Sequence, residues 1–205
     1  MAIRLGVLVS GGGTTLQNLI DRIENGRLQA TIAVVVSSRD GIVALERARR
    51  HGTPATVVPI FGVPVSQYSK EVFAWCRRYE VELVVLGGYL HLLQIPADFA
   101  GRVMNIHPAL IPAFCGKGYY GLRVHQAVID RGVKITGCTV HFADNEYDHG
   151  PIILQRVVEV KDDDTAERLA ERVFAAECEA YPEAIQLFAQ GRLRIEGRRV
   201  TVRKN

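Results

Sequence analysis

Asn105 and His107 stand two residues apart at the end of the apolar stretch "VMNIHPALIPAF", and Pro108 follows at once. In an extended segment alternate side chains share a face, so the amide and the imidazole point one way while Met104 and Ile106 point the other. Pro108 stops the strand. That places the pair at a strand's C-terminal end, where open α/β sheets hold their ligands. An amide donor beside a histidine suits a developing oxyanion, and histidine moves a proton near neutral pH. A solitary histidine is more often a satisfied structural residue; the pairing, the position and the proline together favour chemistry.

Such a pair needs a carboxylate, and "VHFADNEYDHGPIILQ" offers Asp144, Glu146 and Asp148. Metal binding by this cluster is one reading. Its apolar, Gly-Pro-bounded surroundings favour one carboxylate tucked against the site, and spacing alone does not choose which. Farther on, Ala166, Leu169, Ala170 and Val173 form an apolar stripe that Glu177 continues. An inward carboxylate needs a partner, either a ligand or an arginine. The preceding "DDD" looks metal-like, but Asp164 with Glu167 also makes an ordinary helix cap.

A third element is "SGGGTTLQ", Ser10 to Gln17. Glycines let backbone N–H groups approach an anion, and a helix start adds a favourable dipole, so Gly12, Gly13, Thr14 and Thr15 are candidates for holding a phosphate. A purely structural tight turn is the plainer alternative. The turn is a poor dinucleotide fingerprint, because Leu16 takes the third glycine position and no acid ends the next strand. It also lacks the Gly-Lys-Ser/Thr ending of a P-loop.

These residues require a frame. Strands are expected at 3–10, 30–37, 55–59, 82–88 and 102–108, alternating with helices at 15–26, 42–52 and 66–79. The continuous apolar runs at 33–36 and 83–86 suggest strands buried on both faces. The alternation implies βαβ units and a parallel sheet. After a loop, "IPAFCGKGYYG", a helix is expected near 122–132. Two longer strands follow, "KITGCTVHFA" and "GPIILQRVVEV", possible antiparallel partners at one side of the sheet, then a helix from 165 to about 190. The expected fold is α/β, a Rossmann-like open twisted sheet, mostly parallel with antiparallel late strands and helices on both faces. It forms one domain over 1–205: a phosphate-binding half to about 100, a catalytic half over 101–190 and a basic hairpin over 191–205.

Bulk properties narrow the class. The 205 residues are 48% hydrophobic, enough for a core, and no apolar run is long enough to span a membrane. The N-terminal apolar run ends in glycines without a cleavage pattern and reads as a strand. The net charge of +3 is concentrated in the tail, where Arg192, Arg194, Arg198, Arg199, Arg203 and Lys204 face only Glu196. A charged edge hairpin turning at Glu196-Gly197 explains this better than nucleic-acid binding. Cys76, Cys115, Cys138 and Cys178 fit no zinc template. Reduced thiols in a cytoplasmic protein are the simplest reading.

The stretches "LVSGGGTTLQNLID", "LVVLGGYLHLL", "NIHPALIPAF", "GCTVHFADNEYDHGPIILQ" and "AYPEAI" resemble, in order and over nearly the whole chain, the phosphoribosylglycinamide formyltransferases of purine synthesis. Asn-Ile-His-Pro and Asp-x-Gly-Pro mark the wider folate formyltransferase superfamily; the short phosphate turn and Glu-x-x-x-Tyr-Pro narrow it. The resemblance implies formyl transfer from 10-formyltetrahydrofolate to glycinamide ribonucleotide. Asn105, His107 and Asp148 would be catalytic, with Asn105 and a protonated His107 on the oxyanion and Asp148 keeping the ring charged. The phosphate would sit at Gly12, Gly13, Thr14 and Thr15, and the amine region at Glu177. The folate would meet Tyr89, Leu90, His91, Leu92, Ala143, Asn105 and Asp148. No metal, nucleic acid or membrane is implied, and a monomer or homodimer is expected.

Departures from the pattern are Thr15 for the usual asparagine, His91 where many members carry arginine, Phe174 at an often polar position, and a longer Gly-rich loop, "AFCGKGYYG", over 113–121. Formyltetrahydrofolate deformylase shares the trio but carries a further N-terminal domain, for which a first strand at Ile3 leaves no room. Methionyl-tRNA formyltransferase needs a C-terminal RNA-binding domain, and the basic tail is too short for one. A non-catalytic binder of phosphoribosyl compounds is a third reading.

Overall fold

The computed structural model describes residues 2–203, so Lys204 of the basic tail lies outside the described residues. The chain divides into two compact units, Met1–Met104 and Asn105–Asn205. Together they give an α/β fold with a mixed sheet, parallel in its early strands and antiparallel in its late ones.

In the first unit, β1 (Ile3–Val9), β2 (Ala30–Ser37), β3 (Ala55–Val57) and β4 (Leu83–Leu86) alternate with α1 (Thr14–Glu24), α2 (Val43–Arg50) and α3 (Val65–Arg78). The strand order is β3-β2-β1-β4, all parallel. Val7, Leu8 and Val9 of β1 and Val34, Val35 and Val36 of β2 are fully buried, as expected where helices cover both faces. The order reverses at β1: the chain moves outward through β2 and β3, then returns to β1's other side with β4. This is the switch point at which parallel sheets leave a crevice at their strand C-termini, and the Ser10–Thr15 turn lies there. Gly26 closes α1 with a φ of 74° and a 3.0 Å bond from its N–H to the Ile23 carbonyl, the usual left-handed stop.

The second unit begins within β5 (Val103–His107) and continues with α4 (Leu122–Arg131), β6 (Ile135–Phe142), β7 (Ile152–Glu159), α5 (Ala166–Ala189), β8 (Leu193–Glu196) and β9 (Arg199–Val202). Its order is β5-β6-β7-β9-β8, with β6–β7 and β8–β9 antiparallel. The register of β6 on β7 shifts between Val140 and His141, which pair with Leu154 and Ile152. Such bulges redirect side chains, and His141 follows this one.

Two local expectations need correction. The tail hairpin turns at Gly197-Arg198, one residue later than expected, because Glu196 still pairs with Arg199 and Gly197 supplies the positive φ of 60°. The N-cap of α5 is Thr165, whose hydroxyl accepts the Arg168 N–H at 3.3 Å. Asp164 instead pairs with Arg172, accepting from its Nη1 at 2.8 Å, and that guanidinium draws the carboxyl down to about 2. The four cysteines are free thiols, and no described helix is long and apolar enough to cross a membrane.

Candidate active site

Asn105 and His107 leave the end of β5 on one side of the strand, and the structure brings Asp148 to both. Asn105 Nδ2 donates to Asp148 Oδ1 at 3.2 Å, and His107 Nδ1 lies 3.5 Å from Asp148 Oδ2. Of the three carboxylates in the late cluster, Asp148 is the one turned inward. Asp144 caps its own loop, accepting the Glu146 N–H at 2.9 Å, and Glu146 is exposed.

The loop after β5 completes the surroundings. Thr139 on β6 and Gln155 on β7 lie directly opposite each other. The Thr139 hydroxyl donates to the Ala109 carbonyl at 2.7 Å and accepts the Ile111 N–H at 3.1 Å, while Gln155 Nε2 donates to the Ile111 carbonyl at 3.1 Å. The chain after Pro108 is thereby held against the late strands. Phe114, with a φ of 50°, turns its carbonyl to His107 Nε2 at 2.8 Å, and the Gly116 N–H reaches Asp148 Oδ2 at 2.8 Å.

These bonds assign protons. A carbonyl only accepts, so Nε2 of His107 carries the hydrogen and Nδ1 is the atom facing Asp148. Burial pulls His107 below the ordinary histidine range; Asp148 and the Phe114 carbonyl oppose this, His141 adds to it, and the net direction is down. The resting ring is therefore neutral near pH 7. For Asp148, burial pushes upward, but the contacts with His141, His107 and the Gly116 N–H outweigh it and hold the carboxyl below its usual range. It is ionised. An ionised acceptor at Oδ1 also fixes the Asn105 amide, since the reverse orientation would face oxygen to oxygen.

His141 is the main residue that the sequence reading missed. Its Nδ1 donates to the Phe142 carbonyl at 2.9 Å, leaving Nε2 to accept from Asn105 Nδ2 at 3.1 Å and to stand 3.7 Å from Asp148 Oδ1. One histidine within a buried strand was the available signal, but its partner lies 36 residues away. His125, on the inner face of α4, was missed as well. Its buried Nδ1 has no hydrogen-bond partner among the described residues, and burial, then the interaction with His107, lowers its pKa.

Glu177 lies half-buried on α5, with no hydrogen bond or ion pair among the described residues, so the arginine alternative is not taken up there. Burial pushes its carboxyl up to about 7, and its charge, after burial, helps raise the Cys138 thiol to about 12. Phe174, one turn earlier, is also half-buried.

In the first unit, the glycine turn presents the uncapped start of α1. Gly11 and Gly12 have open space where a Cβ would stand. Their carbonyls are engaged by the Ala44 N–H at 3.3 Å and Arg47 Nε at 3.0 Å, while their N–H groups and that of Gly13 have no partner among the described residues. Gly13 is different: its φ is 71°, and a Cβ there would lie 2.6 Å from Ala44 Cβ. That glycine is required by packing. Ser10 links the turn to the 89–92 segment, its Oγ accepting the Leu90 N–H at 3.3 Å. Tyr89 is buried and bonded through its hydroxyl to Tyr68, with His91 edge-on at 5.5 Å between ring centroids; Leu90 is exposed and Leu92 half-buried. Burial, then the charge of Arg39, lowers the His91 pKa. Ala143 lies in the second unit, half-buried just past β6.

The lowered values of His91, His107 and His125 predict how stability depends on pH. The unfolded chain takes up these protons below about pH 6.5 while the folded protein resists them, so the contribution is complete above that pH and is lost as pH falls. The thermal midpoint should fall from pH 7 toward pH 5. His125→Leu should flatten that slope; an unchanged slope in differential scanning fluorimetry would exclude His125 as a contributor. Glu177, whose value is raised to about 7, acts in the opposite sense over the same range: its contribution is complete below about pH 4.5 and lost as pH rises to about 7, so it offsets part of the histidine slope.

The model of the family described as formyl transferase matches residues 3–185. The chain belongs to the formyl transferase family. It is 38% identical over 193 residues to the chloroplastic phosphoribosylglycinamide formyltransferase of Vigna unguiculata, covering 93% of this chain and 62% of that one. The chain thus spans under two thirds of that relative's length. Glycinamide ribonucleotide transformylase 1 from Symbiobacterium toebii superposes with a TM-score of 0.90 at 43% identity, covering 99% of this formyl transferase and 95% of the other. A formyltetrahydrofolate deformylase from Pseudomonas syringae superposes with a TM-score of 0.88 at 25% identity, with 67% of that chain covered.

Proposed function

We propose that this formyl transferase moves a formyl group from 10-formyltetrahydrofolate to the amine of glycinamide ribonucleotide. The observation that carries the reading is the ionised Asp148 facing Nδ1 of a neutral His107, with Asn105 on the same carboxylate. The substrate amine attacks the formyl carbon, a C–N bond forms, and the carbonyl π pair moves to oxygen. His107 Nδ1 takes the amine proton, and the resulting imidazolium is stabilised by Asp148 and faces the oxyanion. The proton then passes to N10 of the folate as the old C–N10 bond breaks. Both Asn105 amide hydrogens are engaged in the resting site, so Asn105 joins the oxyanion by exchanging its bond to His141. The glycine turn takes the phosphate, Glu177 the amine region, and Tyr89, Leu90, His91, Leu92 and Ala143 the folate. No metal has a role in this scheme.

Glu177 favours an amine acceptor over water. A half-buried carboxylate without a partner among the described residues suits a cationic or hydrogen-bonding amine, and holding that amine beside the formyl carbon supplies a near-attack geometry. The test follows formate release and formylglycinamide ribonucleotide formation in one mixture. Formylated product should accumulate only with the ribonucleotide present, and Glu177→Ala should lower its rate with little change in melting temperature. Formate appearing at the same rate without the ribonucleotide, and no formylated product, would replace this reading with the deformylase one.

A further inference from the structure

The loop that carries Asp148 is held from outside by the C-terminal hairpin. The loop base is fixed where β6 and β7 meet: the Phe142 N–H donates to the Pro151 carbonyl at 2.9 Å, and a Cβ on Gly150 would lie 1.9 Å from the Phe142 carbonyl oxygen. Between that base and the site stands Asp148, with a φ of 52°. A left-handed conformation is unfavourable for a residue with a side chain and persists where surrounding contacts impose it.

The imposing contacts converge on the next residue. His149 Nδ1 donates to Asp144 Oδ2 at 2.7 Å, so its Nε2 is free to accept, and Arg198 Nη1 donates to it at 2.8 Å. Arg198 Nη2 donates to the His149 backbone carbonyl, also at 2.8 Å. One guanidinium therefore grips a single residue at its ring and at its main chain, a two-point contact that lysine cannot reproduce. Arg198 is delivered there by the Gly197-Arg198 turn and by the pairing of Arg199 with Ile152. His149 and Asp144 are partly exposed, with side-chain exposures of 46% and 37%, so these exposed hydrogen bonds add little to global stability. Their effect is local.

We propose that Arg198 is a positioning residue for the reaction, acting through His149 to hold Asp148 in the geometry that faces its carboxylate to His107. The proposal rests on the formyl-transfer reading only for its kinetic arm. Arg198→Ala frees the His149 carbonyl and ring, Asp148 relaxes from its left-handed conformation, and its alignment with His107 Nδ1 and the Gly116 N–H loosens. A misplacement of this kind costs about 10- to 100-fold in rate.

The first measurement does not need activity. In the native chain, burial lowers the His107 titration midpoint and His141 adds to this, while Asp148 and the Phe114 carbonyl raise it. Loosening Asp148 should lower the midpoint of His107 in an imidazole ¹⁵N NMR titration. Simple loss of the Arg198 positive charge would raise it, so the sign separates positioning from bulk electrostatics. An unchanged or raised midpoint in folded Arg198→Ala overturns the proposal. The second measurement is kinetic: kcat for formyl transfer should fall by about 10- to 100-fold with KM nearly unchanged. In an Asp148→Asn background, Arg198→Ala should have no further effect; an equal loss in both backgrounds also overturns it. If Arg198→Ala does not fold, Arg198→Lys, which keeps the charge but only one contact, should lower the same midpoint by a smaller amount. An inactive wild-type enzyme would count against formyl transfer, while the NMR arm would still decide the role of Arg198.

Discussion

Asp148→Asn should lower kcat by about 100-fold or more while the protein stays folded, the loss usual for one polar element aimed at the transition state. The carboxylate accepts at both oxygens, from Asn105 Nδ2 and from the Gly116 N–H, and faces His107 Nδ1 at 3.5 Å. Asparagine keeps the shape but removes the charge that stabilises the imidazolium. It also sets an NH2 group against one of the two donors, leaving a buried donor unpaired at a cost of about 1–3 kcal/mol. The rate loss should thus come with a modest stability loss. Steady-state kinetics with a thermal melt separate the two, and near wild-type turnover in a folded variant would remove Asp148 from the mechanism. The His107 titration should also move down, since Asp148 is the main group raising it.

Removing the phosphate from glycinamide ribonucleotide should weaken binding by about 100-fold, the scale of several charge-assisted hydrogen bonds lost at a helix start. The Gly11, Gly12 and Gly13 N–H groups lack partners among the described residues, α1 begins without a side-chain cap, and no Cβ would obstruct approach at Gly11 or Gly12. Gly12→Val should reproduce the loss by filling that open space, since Gly12 is exposed and not in the left-handed region. Gly13→Val is not an equivalent probe. Its side chain would strike Ala44 and strain a φ of 71°, so it should cost stability whether or not phosphate binds. Calorimetry with the ribonucleotide and the riboside decides the matter: equal dissociation constants would rule out the turn as the phosphate site. An affinity loss in Gly12→Val for the ribonucleotide but not the riboside would tie the effect to the phosphate itself.

Much of the frame was readable from order and period alone. The valine-rich runs of β1, β2 and β4 announce strands buried on both faces, because residues covered by helices on either side need no polar alternation. The glycines after β1 announce a backbone made for close approach, and side-chain alternation puts Asn105 and His107 on one side of β5. Family resemblance then singled out Asp148 from Asp144 and Glu146, a choice that spacing did not make. The structure gives that choice a physical basis: Asp144 is committed to its own loop and to His149, while Asp148 alone turns toward β5. Local signals were less dependable at element ends. Asp164 and Thr165 both suit an N-cap, and Arg172, two turns into α5, claims the first and leaves the cap to the second.

What the chain determined by itself, then, was which segments are strands and helices and which strand end carries the amide and imidazole, since those follow from contacts within a few residues. What only the tertiary structure decided was the protonation and aim of those groups. The Nε2 hydrogen of His107 is set by a carbonyl seven residues on, the amide of Asn105 by His141 and Asp148 at 36 and 43 residues, and the loop of Asp148 by Arg198 across 49 residues from His149 to Arg198. Each depends on strand register, a β-bulge at His141 and a hairpin docked by one pairing, Ile152 with Arg199. A one-residue slip in any of these would turn the side chains to the opposite face, and no local pattern of apolar and polar residues records such a choice.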